Sequence, residues 1–399
     1  MKKILLMIIL AFLMSGCQRF EELTEPEDFL NYPQTWRNVF EGFWTGMNNN
    51  YVFWDIDPTD WDKVYRDFRP KFIDLDRRHG SFFEHIPAAR ELFEELTKDL
   101  IDGHFAMLLT GDPLGYIYPA MGRMPLTEVI EGLRLPLIVR QNYLTENLAY
   151  HVLEEESEFH GFVAIVGKIP FSQNSSDGEI LYFYFSSFEW TGIMGWDSPH
   201  RDSLLEIFDY FSQNLHSPNT RGVIVDVRGN RGGYISDLQL IWGQMFSSQA
   251  HKIGYSKQKT GDGRLDFGPL LPINIPRHPS NRRNLNVPLI LLVNNWSVSS
   301  SELSALFVRS FANGTVVGSR TFGGLGALIN NWVWNAGQFS TLGITLAYTP
   351  SVQNLDLNKE SWEGRGVPPD VAVPFNEAEF LSGIDARLER ALEIIRTGR

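Results

Sequence analysis

Four serines follow an apolar run and stand at the start of a helical pattern. The run "VPLILLV" leads into "NNWSVSSSELSA", so Ser297, Ser299, Ser300 and Ser301 lie where a buried strand would turn into a helix. A serine at such a turn is lifted to the sheet edge, and unpaired N–H groups of the first helical turn point toward it. It becomes a nucleophile when a base takes its proton and backbone N–H groups bind the developing oxyanion. The pattern favours acyl-transfer chemistry, but Ser299 or Ser301 could also simply be the N-cap.

A second loop follows another apolar run. The stretch "GVIVDV" leads into "RGNRGG", in which Gly232 and Gly233 can present backbone N–H groups without a Cβ in the way. The carboxyl ends of parallel strands meet at one edge of a sheet, so we expect both loops to form one site. Asp226 and Arg228 are predicted to be a structural ion pair that frames this loop. A plain tight turn is the alternative, and the G-x-G-x-x-G spacing of a dinucleotide loop is missing.

The surrounding elements predict an α/β fold. The stretches "EILYFYFSSF", "GVIVDV" and "PLILLV" are typical of buried strands, and "DSLLEIFDYFSQNL" has the apolar spacing of a helix. Apolar strands separated by helices predict a mainly parallel sheet with helices on both faces. Residues 256–284, rich in Gly, Pro and basic side chains, are interpreted as a surface excursion.

The N-terminal half has a different pattern. Residues 31–110 are predicted to form a helical domain, in which Leu92, Leu96 and Leu100 mark an amphipathic helix that ends near Gly103. Residues 111–177 predict a small β-rich region from the stretches "RLPLIVR", "NLAYHVL" and "FVAIVGKIPF". The α/β core is assigned to 178–375, and a C-terminal helix to 376–399.

The first residues read as an export signal. Lys2 and Lys3 precede the apolar run "ILLMIILAFLM" and then "SGC", and Cys17 is the only cysteine. Residues 1–17 resemble a bacterial lipoprotein signal, with Met14 where leucine is usual, and the acidic stretch 18–30 suits a tether. Cys17 is therefore the expected lipid anchor of an exported, membrane-anchored protein of the bacterial periplasm or cell envelope. An ordinary signal peptide is the alternative.

The composition limits the kinds of binding partner and cofactor that we expect. The formal net charge is −13 and no Lys/Arg cluster occurs, which argues against nucleic acid as a partner. There is no H-E-x-x-H pattern and no second cysteine, so the sequence predicts no metal site and no cofactor.

Three stretches in this order resemble a known family. They are "GVIVDVRGNRGG", "VPLILLVNNWSVSSSELSALFVRSFANGTVVGSRTFGGLG" and "WEGRGVPPDVAV", which are similar to the catalytic core of the C-terminal processing (tail-specific) peptidases. That family includes the tricorn-core enzymes and retinoid-binding relatives. The resemblance implies a ClpP/crotonase-like core, a nucleophile at Ser299 and an oxyanion hole from the N–H groups of Gly233 and Ser300. A PDZ domain often precedes this core, but residues 111–177 lack a G-L-G-F-like loop and would at most be a degenerate version.

The resemblance also bears on the general base. The processing peptidases carry a lysine where this sequence has Gly324, and the only lysine after Ser299 is Lys359, in a setting that does not suggest a base. The tricorn-like branch instead uses a histidine and a glutamate, whose motifs match "LIDGHFAML" and the residue before "GRGVPPD". The implied set is Ser299, His104 and Glu363, in which the carboxylate orients the imidazole.

The sequence leaves the role of His104 open in two respects. The tricorn-like branch has a serine directly before the histidine, but this chain has Gly103. The link from His104 to Glu363 could thus be direct, through water or through Asp102. Taken alone, His104 could equally be a residue at a helix C-terminus, where the dipole favours imidazolium.

The resulting hypothesis is an exported serine endopeptidase that acts on peptides or proteins. The alternative is a non-catalytic binding protein for apolar ligands or peptides on the same fold, favoured by the missing lysine and by 28 Phe and 11 Trp that could line a cleft. An esterase or amidase is a further alternative, although no G-x-S-x-G elbow surrounds Ser299. The sequence does not predict the oligomeric state.

Overall fold

The computed structural model describes residues 34–124, 128–151, 161–195, 197–328 and 337–398. The export signal, the tether and Cys17 lie outside these residues. In the described part, no helix combines the length and the apolarity that crossing a membrane requires.

The described chain begins with three α-helices, mixes strands and helices in its middle part and ends with two α-helices. The helices are α1 (Trp36–Asn50), α2 (Trp61–Asp76), α3 (Ile86–Thr97), α4 (Val129–Asn142), α5 (Trp190–Ile193), α6 (Arg201–Leu215), α7 (Ser236–Trp242), α8 (Ser300–Ser310), α9 (Glu377–Leu381) and α10 (Ala386–Thr397). The strands are β1 (Ala106–Leu109), β2 (Glu146–His151), β3 (Val163–Pro170), β4 (Glu179–Phe185), β5 (Thr220–Asp226), β6 (Ala250–Gln258), β7 (Leu271–Pro276), β8 (Leu289–Val293), β9 (Gly314–Gly318), β10 (Gln338–Thr341), β11 (Thr345–Tyr348), β12 (Val352–Leu355) and β13 (Val371–Ala372).

A seven-stranded sheet forms the centre of the molecule. Its strand order is β13-β9-β8-β5-β4-β3-β2. Strands β13, β9, β8, β5 and β4 are parallel to one another, and β3 is antiparallel to both of its neighbours, β4 and β2. Strands β2 and β3, from residues 111–177, thus continue the sheet of the core that was assigned to residues 178–375. The predicted α/β fold with a mainly parallel sheet is confirmed.

Helices cover both faces of this sheet, as its apolar strands require. Along β5, Val223 and Val225 pack with α6 and α8 on one face, whereas Ile224 packs with α4 and α10 on the other. This alternation follows from the two-residue period of a strand. The carboxyl ends of β5 and β8 meet at one edge, which places the two polar loops side by side.

The N-terminal helices have a core of their own that includes part of the C-terminal half. Aromatic side chains of α1 to α3, among them Phe43, Phe72 and Phe93, pack with Ile344 and Ala347 near strand β11. Strand β1 pairs with β11 in a small sheet, with Ala106 opposite Tyr348. The turn between α3 and β1, which carries His104, is therefore attached to the C-terminal half of the chain by a sheet.

Two sequence predictions about helices are wrong. Helix α3 ends at Thr97 rather than near Gly103. Residues 102–105 instead form a turn in which the Asp102 side chain accepts the N–H groups of His104 and Phe105. The stretch "RLPLIVR" is not a strand but lies in α4. Its buried residues Leu135, Ile138 and Val139 follow helical spacing, which the short apolar run concealed.

The interpretation of residues 256–284 as a surface excursion is also partly wrong. Strand β7 lies inside this range and pairs with β6, which pairs with β12 in a separate three-stranded sheet. At the other end of the chain, residues 376–399 contain two helices, α9 and α10. They are separated at Gly383, whose φ of +97° suits glycine.

Candidate active site

Ser299 lies at the turn between β8 and α8 in an unusual backbone conformation. Its φ of 58° and ψ of −115° lie in a region that residues with a Cβ rarely adopt. The Ser299 N–H is shared between the carbonyl oxygen of Gly324 (3.1 Å) and Oε2 of Glu302 (3.0 Å). These contacts hold the strained turn, and the residue remains half-buried at the sheet edge.

The other three serines of this stretch bind neighbouring backbone. Their hydroxyls donate as follows: Ser297 to the carbonyl of Val227 (2.7 Å), Ser300 to that of Gly233 (2.9 Å) and Ser301 to that of Asn230 (2.9 Å). Ser299, in contrast, makes no such bond to a loop carbonyl among the described residues, and its side chain faces the Glu302 N–H in a capping box at the start of α8. The serine run therefore holds two loops together and leaves Ser299 as the candidate nucleophile.

The loop after β5 lies against Ser299 and is a candidate for the second half of an oxyanion hole. A Cβ on Gly232 would lie 2.6 Å from the Cβ of Ser299, and one on Gly233 would lie 2.2 Å from the carbonyl oxygen of Phe188. Both glycines also have positive φ. Within the described residues, no acceptor binds the N–H of Gly233 or of Ser300. Both groups can therefore donate to an oxyanion beside Ser299.

The turn that carries His104 is fixed by Asp102. The buried Asp102 carboxylate accepts the N–H groups of His104 (2.8 Å) and Phe105 (3.0 Å) with one oxygen. Its other oxygen accepts the hydroxyl of Thr349 (2.6 Å), at the end of β11. This Asx-type turn ties the histidine to the C-terminal half of the chain.

The imidazole of His104 lies beside the backbone that holds the nucleophile. A Cβ on Gly324 would come within 3.3 Å of its Cε1 atom, and Gly324 is the residue that binds the Ser299 N–H. Burial lowers the pKa of His104 to about 4, so the ring is neutral near pH 7 and can accept a proton. Its Nδ1 is buried without a hydrogen-bond partner among the described residues, which also show no bond between His104 and Ser299.

Glu363 lies close to His104 and is held by backbone. Its Oε1 accepts the N–H of Gly103 (2.8 Å), and its Oε2 accepts those of Leu325 and Gly326 (2.8 Å each). Burial and the nearby charge of Asp102 raise the pKa of Glu363 well above its ordinary value. Potential ligand atoms of Asp102, His104 and Glu363 all lie within 4.8 Å of one another.

This trio is also the candidate metal group that the described residues offer. All four of its carboxylate oxygens already accept hydrogen bonds from the protein. The arrangement is thus better suited to orienting an imidazole than to coordinating an ion.

Packing explains why glycine precedes the histidine. A Cβ on Gly103 would lie 2.6 Å from Cα of Gly324 and 2.8 Å from the carbonyl oxygen of Gly323. A serine therefore does not fit at this position without displacing the loop.

Glu302 and Asn230 are site residues that the sequence analysis missed. The buried Glu302 carboxylate accepts the N–H of Ser299 and that of Gly324, which lies beside His104. The Asn230 side chain accepts the N–H of Gly232 (2.8 Å) and the hydroxyl of Ser301 (2.9 Å). The S-x-x-E spacing of Ser299 and Glu302 is a capping-box signal that could have identified Glu302.

Asp226 and Arg228 form the predicted structural frame. The fully buried Arg228 guanidinium contacts Asp226 (2.6 Å), Asp385 (2.7 Å) and Glu131 (2.9 Å). Asn294, at the end of β8, accepts the Gly229 N–H (3.0 Å). The oxyanion loop is thus fixed to α4, to the start of α10 and to the neighbouring strand end.

Comparisons with known proteins find similarity to peptidases. The sequence description of peptidase family S41 matches residues 175–373. Tricorn protease of Thermoplasma volcanium is 24% identical over 225 residues, 56% of this chain and 18% of that protein. The nisin-resistance protein of Lactococcus lactis subsp. lactis is 29% identical over 188 residues, 45% of this chain and 55% of that protein. The chain thus spans about a fifth of the first relative and about half of the second.

Solved structures extend the likeness to nearly the whole chain. A crystal structure of a protein from Parabacteroides merdae ATCC 43184 superposes with a TM-score of 0.65 at 21% identity, covering 92% of this chain and 98% of that chain. Mature CPAF in complex with lactacystin gives 0.58 at 11% identity, with 90% and 97% covered. At these identities the likeness shows the fold.

Proposed function

The chain belongs to peptidase family S41, a family of serine-type peptidases, and on that premise we propose that it is an endopeptidase acting through an acyl-enzyme on Ser299. One observation carries the proposal. The strained Ser299 lies against the Gly232–Gly233 loop, and the N–H groups of Gly233 and Ser300 have no acceptor in the described chain. Gly324, whose carbonyl binds the Ser299 N–H, lies beside the His104 ring. Nucleophile, oxyanion hole and base thus meet at one sheet edge.

The reaction follows from these positions. Neutral His104 takes the proton of the Ser299 hydroxyl as its oxygen attacks the peptide carbonyl, and the N–H groups of Gly233 and Ser300 bind the oxyanion. Imidazolium then protonates the leaving amine, and an acyl-enzyme remains. Water, activated by the same ring, releases the acyl group. No metal or organic cofactor is needed for these steps.

Glu363 is the proposed orienting carboxylate. The buried Nδ1 of His104 has no bond to it in the described residues, but the two groups lie within 4.8 Å. A distance up to this limit is within the span of one bridging water. Asp102 would hold the histidine turn through the backbone, which assigns the two carboxylates different tasks.

The cellular location and the substrates of the enzyme are also proposed. The substrates would be peptides or proteins that reach the bacterial cell envelope, where a lipid on Cys17 would anchor the enzyme.

Labelling with a fluorophosphonate probe tests the site. We expect the parent protein to be labelled, Ser299→Ala and His104→Ala to lose labelling, and the exposed-site controls Ser248→Ala and His79→Ala to keep it. An unlabelled parent would contradict the proposal and favour the binding-protein alternative. Comparing an internally quenched peptide with a simple ester then separates a peptidase from an esterase, because the esterase alternative predicts that only the ester is hydrolysed.

A further inference from the structure

Glu302 lies at the centre of the site without a place in the reaction itself. Its side chain is fully buried in the first turn of α8, three residues after Ser299. Among the described residues it has no ion-pair partner. A buried carboxylate is costly unless it is hydrogen-bonded, and Glu302 accepts four hydrogen bonds, three of them from backbone N–H groups.

One carboxylate oxygen connects nucleophile and base. Oε2 accepts the N–H of Ser299 (3.0 Å) and that of Gly324 (2.7 Å). The first bond holds the residue with the strained φ and ψ. The second fixes the glycine against which the His104 imidazole packs.

The other oxygen reaches the segment of Glu363. Oε1 accepts the N–H of Gly323 (2.7 Å) and the hydroxyl of Thr321 (2.6 Å). The Gly323 carbonyl in turn accepts the N–H of Gly364, directly after Glu363 (2.8 Å). Burial raises the pKa of Glu302 to about 7, while the hydrogen-bond donors oppose that rise.

From these contacts we infer that Glu302 is a positioning residue that sets Ser299, His104 and Glu363 relative to one another. It touches no reacting atom and acts through backbone N–H groups. The inference rests on the proposed function, since it assumes that these three residues carry out the reaction.

Two substitutions separate this role from plain structural support. Glu302→Gln keeps the shape, but in either orientation its amide NH2 faces at least one of the three backbone N–H donors. Glu302→Leu removes every acceptor. We expect the rate constant of fluorophosphonate labelling to fall about 10-fold in Glu302→Gln and about 100-fold or more in Glu302→Leu. The labelled fraction at completion should stay at the parent value.

A matched control lies on the same helix. Phe307 is buried and its ring packs with Trp242 and Phe311, so Phe307→Leu should lower the melting temperature and leave the labelling rate constant within about twofold of the parent.

Three results would overturn the inference. The first is a Glu302→Gln protein that is labelled as fast as the parent. The second is a Glu302→Gln protein in which the labelled fraction at completion falls while the labelling rate constant stays at the parent value, as a folding defect would cause. The third is an unlabelled parent, which removes the premise and thereby marks a failure of the proposed function itself. If Glu302→Leu does not fold, Glu302→Gln decides.

Discussion

The imidazole of His104 lies against Gly324, and the carbonyl oxygen of Gly324 accepts the N–H of Ser299. One residue without a side chain thus separates the candidate base from the candidate nucleophile. A Cβ added there would crowd the ring from one side and have little room on the others, because it would also lie 3.1 Å from Val298 and 3.3 Å from Phe322.

Gly324→Ala tests this relationship. The new methyl group would push the imidazole by a few tenths of an ångström, and small displacements of catalytic groups are costly to the reaction. We expect kcat for a peptide substrate to fall about 10-fold, with KM little changed. Steady-state kinetics measure both parameters.

Gly122→Ala is the control for Gly324→Ala. Gly122 is exposed, its φ is not in the left-handed region, and a Cβ there meets no atom within 4 Å. Its kinetics should equal those of the parent. An unchanged kcat in Gly324→Ala would show that the ring is not held where the structure has it.

The low pKa of His104 predicts how the stability of the protein depends on pH. Its pKa is about 4 in the folded protein and about 6.5 in the unfolded chain, so the unfolded chain binds more protons between these values. This contribution to the free energy of unfolding is complete above pH 6.5 and is lost as the pH falls toward 4. It amounts to about 2 kcal/mol between pH 7 and pH 4.5.

Urea unfolding of the parent and of His104→Gln at both pH values isolates this contribution. The parent should lose about 2 kcal/mol more than the variant on acidification, since other groups titrate equally in both. Equal losses would show that His104 is not desolvated in the folded protein.

The sequence predicted one half of the site better than the other. The two loops that carry Ser299 and Gly233 could be located because each follows an apolar strand, and parallel strand ends meet at one edge, whereas the choice of these two residues came from the family resemblance. His104 and Glu363 have no local pattern of their own and were assigned by resemblance. Their approach depends on the pairing of β1 with β11, which joins residues far apart in the sequence.

The same distinction applies to the fold. Strands β4, β5 and β8 were predicted correctly from short, almost wholly apolar runs that are separated by helical patterns. Helix α4 was mistaken for a strand because its run is short and contains Pro136. Its role depends on Glu131, whose partners Arg228 and Arg387 come from distant segments.

Arg228→Met tests the frame of the oxyanion loop. The guanidinium compensates three buried carboxylates, and its removal leaves them without that partner. Breaking a buried ion pair from one side costs about 3–5 kcal/mol, and we expect that loss in urea unfolding. Arg390→Ala is the control, because Arg390 pairs with Glu393 at the surface and should contribute at most about 1 kcal/mol. A similar loss in both variants would show that the cluster adds no more than a surface pair.

Cys17→Ser tests the proposed anchor. If the cysteine carries acyl chains, full-length protein should separate into the detergent phase of a Triton X-114 extract, and the variant should move to the aqueous phase. Stable anchoring requires more than one chain at about 0.8 kcal/mol per buried CH2, so the shift should be nearly complete. Ser15→Ala, two residues earlier, should behave as the parent. Equal distribution of parent and Cys17→Ser would instead indicate an ordinary signal peptide, in which the only cysteine of the chain has no role in attachment.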